Sequence, residues 1–128
     1  MMNKDYTTWK IFGVYTLILF FLIVCGMNKA NAQTYKCGED ICVVEFNASW
    51  NDANNVKWLH KLSDVGTKRI LIDKGDWQKK FSIVVTPTII IFVNGKEVAR
   101  FQANIMMKLE EEQKIIQEKI DEIIMEEF

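Results

Sequence analysis

Residues 88–93, Thr-Ile-Ile-Ile-Phe-Val, form an unbroken β-branched and aromatic run that is closed by Asn94-Gly95. Asn-Gly after such a run is the strongest short hairpin signal a sequence offers, because both residues tolerate the positive φ of a tight primed turn. Glu97 to Phe101 is the expected returning strand, with Val98 and Arg100 alternating against Ala99 and Phe101. A second apolar run, Ile41 to Phe46, is broken only by Glu45 and the thiol of Cys42 and suits a buried strand. Arg69 to Asp73 supplies another strand. Between these runs, Asn51 to Asn55 is rich in helix-capping residues. Val56, Leu59, Leu62 and Val65 then recur at helical spacing, and Gly66 is the expected stop. A short helix over Trp77–Phe81 is expected to start from Asp76. One long helix should fill Ile105–Phe128, with Leu109, Ile116, Ile120 and Ile123 inward. The order β-α-β-α-β-β-α, with a right-handed first crossover, predicts an α/β layer structure around a mixed sheet of about four strands.

Composition narrows the function classes. With 16 basic and 17 acidic residues the chain has no basic excess, so a nucleic-acid partner is not expected. At 49% hydrophobic it has ample material for a core, which excludes disorder as its main state. The charge is uneven, because residues 108–128 hold eight acids against three lysines. That acidic helix is read as a solvated face over an apolar stripe, with self-association through it as an alternative.

Residues 1–32 read as an address. Lys4 and Lys10 precede a charge-free stretch from Ile11 to Asn28, and Ala30-Asn31-Ala32 offers small residues at the −3 and −1 positions of a cleavage site. This is the pattern of a secretory signal peptide, which implies export to the periplasm or exterior. The alternative is an uncleaved anchor, in which case the protein is attached to the membrane with an extracytoplasmic domain. Cleavage would remove Cys25 and leave Cys37 and Cys42 in an oxidising compartment, where disulfides persist. Neither a cofactor nor a metal site is expected, since no further Cys or nearby His completes a tetrahedral set around the two thiols. Asn47-Ala48-Ser49 matches a glycosylation sequon but falls at a strand end and carries no weight.

Two segments resemble the thioredoxin family. Val43-Val44-Glu45-Phe46-Asn47-Ala48-Ser49-Trp50 is similar to the strand that runs into the family's Trp-Cys-x-x-Cys site. Val85-Thr86-Pro87 through Gly95-Lys96 is similar to its cis-proline strand and hairpin. The resemblance covers about residues 43–126 and implies a thioredoxin-like fold, a four-stranded mixed sheet with helices on both faces. It also implies a cis Thr86–Pro87 bond, and a buried acid at Glu45 that we expect to pair with Arg69 on the neighbouring strand.

The chain departs from the family where the sulfurs should be. Asn51 and Asn54 stand at the two cysteine positions, and a carboxamide cannot replace a thiolate in disulfide exchange. Hence the expected function is an exported domain without dithiol catalysis at the family site, a protein- or peptide-binding or structural module. Its groove would be Trp50, Asn51, Asn54, Thr86 and Pro87. Cys37 and Cys42 are expected to form a disulfide at the opposite pole, near Asn94-Gly95, with a structural role. The alternative is a thiol-disulfide oxidoreductase or redox sensor that uses Cys37 and Cys42.

Overall fold

The computed structural model describes residues 33–128. The expected leader, residues 1–32, lies outside the described residues. Among those described, no helix is long and apolar enough to cross a membrane.

Four strands form one mixed sheet in the order β2-β1-β3-β4. They are β1 (Ile41–Asn47), β2 (Gly66–Leu71), β3 (Thr88–Val93) and β4 (Lys96–Gln102). β1 and β2 run parallel, with Cys42 opposite Gly66 and Glu45 opposite Arg69. β1 and β3 run antiparallel, with Cys42 opposite Phe92 and Phe46 opposite Thr88. Residues 94 and 95 make the hairpin turn with φ of +50° and +86°, the left-handed conformations that Asn and Gly accept. The β3–β4 register shifts between Ile91 and Phe92, so the regular alternation expected for β4 is broken by a bulge at Val98.

The two central strands are buried along their whole length because layers cover both faces of the sheet. Ile41, Val43, Ile89, Ile91 and Val93 meet Leu59 and the inner face of α2 (Gln113–Glu127), namely Ile116, Ile120 and Ile123. Val44, Phe46, Ile90 and Phe92 meet Phe81 and Ile83, with Trp77 of α1 (Trp77–Lys80) and Tyr35 packed alongside. Aromatic rings dominate this second layer. Phe81 lies 5.3 Å from Phe46 and 5.6 Å from Phe92, centroid to centroid.

Three helical expectations are corrected. Residues 51–65 hold no α-helix but two 3-10 turns, Ser49–Asn54 and Leu59–Lys61, and Gly66 opens β2 instead of ending a helix. The physical reason is a buried carboxylate. Glu45 accepts the Val56 N–H at 3.1–3.2 Å, while Arg69 Nη2 donates to the Val56 carbonyl at 2.8 Å. The Val56 carbonyl is thus shared between Arg69 and the Leu59 N–H at 3.4 Å, an i→i+3 bond that closes a 3-10 turn in place of an α-helical i→i+4 bond. The last helix begins at Gln113 rather than Ile105. Asn104 Oδ1 accepts the N–H groups of Met106 and Lys108, and this side-chain alternative holds the segment as a loop with Met107 at φ +60°. Finally, Asp76 precedes α1 without a side-chain capping bond.

Candidate functional site

Asn51 lies at the end of the sheet reached by the C-terminus of β1, and its side chain is buried. Its Nδ2 lies 3.1 Å from Asn47 Oδ1, 3.2 Å from the Met107 carbonyl and 3.4 Å from the Thr86 carbonyl. Asn54 donates back to Asn51 Oδ1 at 2.8 Å. Asn47 is itself fully buried, and its amide nitrogen donates to the Asn51 carbonyl and to Asn55 Oδ1. An oligosaccharide could not be attached to such an amide. Thr86–Pro87 is a cis peptide, and Trp50, 64% exposed, shares a cleft of about 260 Å³ with Thr86, Asp73 and Met107. Asp73 accepts the Ser49 N–H at 2.9 Å, which holds its carboxyl below the usual aspartate range. Trp50, Asn51, Asn54, Thr86 and Pro87 therefore do converge. What they build is an amide network satisfied by the chain's own carbonyls, with no ionisable nucleophile among them.

Glu45 and Arg69 also meet. Arg69 Nε donates to Glu45 Oε1 at 3.0 Å across the parallel pair. Burial pushes the Glu45 carboxyl up from its ordinary value, and the Val56 N–H and Arg69 oppose that only in part.

The sulfur chemistry is at the other end of the sheet. Cys37 and Cys42 form a disulfide, with their Cα atoms 6.1 Å apart. Cys42 is 1% exposed and faces the aromatic layer, whereas Cys37 is only half-buried. The closed loop is pinned to the hairpin, since Tyr35 N–H donates to the Gly95 carbonyl at 3.0 Å and Asn94 N–H to the Asp40 carbonyl at 2.8 Å. Gly66, opposite Cys42, leaves the room it needs. A Cβ there would lie 2.8 Å from Cys37 Sγ and 2.9 Å from Glu39 Cγ.

Solved structures give the architecture its context. No family model and no curated protein sequence matches the chain. A thioredoxin variant from Halobacterium salinarum superposes with a TM-score of 0.53 at 17% identity, over 66% of this chain and 74% of that one. The fold is thioredoxin-like. A malaria-parasite thioredoxin (TM-score 0.51, 19% identity, 68% of this chain and 86% of that one) and the Schistosoma mansoni thioredoxin (0.51, 21%, 66% and 77%) agree.

One functional expectation is overturned at this point. A redox-inactive module was expected from Asn51 and Asn54, but this thioredoxin-like domain carries a formed disulfide, Cys37–Cys42. The loss of sulfur at residues 51 and 54 leaves a cystine elsewhere in the domain, at Cys37–Cys42. The pair lies near the hairpin, as its place in the sequence implied. The overlooked signal was the asymmetry in the pair's surroundings, an apolar strand around Cys42 and a polar loop around Cys37.

Proposed function

We propose that this protein is a thiol–disulfide exchange protein, an oxidoreductase or redox sensor, in which Cys37 and Cys42 are the redox pair. The observation that carries this reading is the disulfide itself, with Cys42 buried and Cys37 only half-buried. Such a pair divides the work. An incoming thiolate attacks Cys37 Sγ, the bond between Cys37 and Cys42 breaks, and its electron pair leaves on Cys42 Sγ. The Cys42 thiolate takes a proton from solvent, and the Glu39 carbonyl oxygen, 3.5 Å from its sulfur, is placed to accept the resulting S–H. A second thiol attacks the incoming sulfur of the mixed disulfide and releases the reduced Cys37–Cys42 dithiol. The net change is two thiols oxidised to one disulfide and one protein disulfide reduced.

The partner in this reading is a thiol-bearing protein or small molecule, and the compartment is extracytoplasmic. The charge-free stretch Ile11–Asn28 and the preference of disulfides for oxidising surroundings support that placement. An insulin-reduction assay tests the proposal. Turnover that disappears in Cys37→Ser and in Cys42→Ser is the expected result. Turnover indifferent to both substitutions, or none in the wild type under reducing supply, overturns it.

A further inference from the structure

The loop that the disulfide closes carries two acids, Glu39 and Asp40, and opens onto a cleft of about 190 Å³. The rest of the cleft is Ile41, Asp64, Ile124 and Phe128, so it combines three carboxylates with an apolar floor and contains no cation. Glu39 stands beside the reactive sulfur itself. Its Cγ and Cys37 Sγ both come within 3 Å of the single point that a Gly66 Cβ would occupy. Lys36, the cation next in sequence, lies along the hairpin instead, with its Cγ and Cε 3.3 and 3.4 Å from the corresponding point on Gly95.

Exchange carries net negative charge to this place, because the nucleophile is a thiolate and the transition state spreads its charge over three sulfurs. Glu39 beside Cys37 and the two further acids of the adjoining cleft oppose that charge, and the opposition is greater for a thiol bearing its own acid. A thiol that brings a positive charge escapes it and gains the attraction of Glu39, Asp40 and Asp64. We infer that the Cys37–Cys42 site selects cationic thiols, namely a cysteine thiol with an ammonium or guanidinium group beside it, over neutral and anionic ones. The inference rests on the exchange activity proposed above and names its substrate class. The apolar floor suits an aliphatic or aromatic side chain next to the charged one.

The full chain carrying Cys25→Ser leaves only Cys37 and Cys42 as sources of thiol signal. Its disulfide is opened with cysteamine, 2-mercaptoethanol or 3-mercaptopropionate, and the free thiols are trapped and counted by mass. Each rate is divided by that of the same thiolate with an uncharged small disulfide, which removes intrinsic reactivity. The expected order is cysteamine, then 2-mercaptoethanol, then 3-mercaptopropionate, with the extremes about tenfold apart at low salt. The spread should close to about twofold at ~0.5 M salt and in the triple variant Glu39→Gln, Asp40→Asn, Asp64→Asn. Equal normalised rates for the three thiols overturn the selectivity while leaving exchange intact. Failure of all three to open the disulfide overturns the exchange reading, and the selectivity with it.

Discussion

At Gly66 a missing side chain lets the disulfide loop close over the start of β2. Gly66→Ala would place a methyl group 2.8 Å from Cys37 Sγ, and the loop cannot yield while its ends are bonded. We expect the oxidised protein to lose about 1–3 kcal/mol and the reduced protein distinctly less, since a released Cys37 can move aside. Urea denaturation of both forms checks this, and equal losses would show that the contact with Glu39 or the strand itself is responsible. Glu45 gives a pH signature of another kind. Its carboxyl is raised above the ordinary glutamate value of 4.5, so the folded state holds that proton more tightly than the unfolded chain. Stability from this group is therefore fully present below about pH 4.5 and falls as pH rises through the folded-state value. In Glu45→Gln that downward slope should vanish, because Arg69 then donates to a neutral amide oxygen that does not titrate. Denaturation midpoints between pH 4 and 8 decide it; an unchanged slope means that Glu45 does not titrate in this way. The Glu45–Arg69 pair was legible in the sequence because Arg69 falls on the neighbouring strand and the family likeness pointed to it.

At the scale of elements, the legible parts are those where one local rule acts alone. Thr88–Val93 and the Asn94-Gly95 turn need only β-branching and positive φ, and they fall at the expected residues. The seam Ile116, Ile120 and Ile123 needs only a helical period, and it is buried. Expectation fails where a side chain from another element competes for backbone groups. Val56 has helix-compatible neighbours, yet its N–H goes to Glu45 and its carbonyl to Arg69. Nothing in the spacing of Val56, Leu59, Leu62 and Val65 announces a carboxylate arriving from β1. The segment before α2 fails for a closer reason. Asn104 takes the Met106 and Lys108 amides and donates to Glu110, a local network that a reading based on apolar period passes over. The candidate site follows the same logic. That residues 51 and 54 lack sulfur was plain from the sequence, but the consequence drawn from it was too broad, because the domain carries its disulfide at the other end of the sheet.

For the whole molecule, the two ends of the sheet are separate chemical neighbourhoods. From Cys42 to Asn47, five residues at ~3.3 Å each put the disulfide about 16 Å from the near edge of the asparagine network. Opening the disulfide should accordingly be a local event with a modest global cost. Removing the short closed loop costs about 2 kcal/mol through the entropy returned to the unfolded chain. The local part is carried by the amides that tie the loop to the hairpin, Tyr35 N–H on Gly95 and Asn94 N–H on Asp40. On reduction these should lose hydrogen-exchange protection by more than the global destabilisation explains, because the segment before β1 then has no covalent tie to Cys42 beyond the chain itself and relies on these bonds and on Tyr35 against Trp77, Phe81 and Phe92. At the far end, Ile72 N–H on Asn47 and Ala103 N–H on Pro87 should slow or quicken only with global stability. Exchange measured on oxidised and reduced protein tests this directly. A uniform change at both ends would mean that the disulfide braces the entire sheet, and a redox signal would then reach the Trp50 end as well.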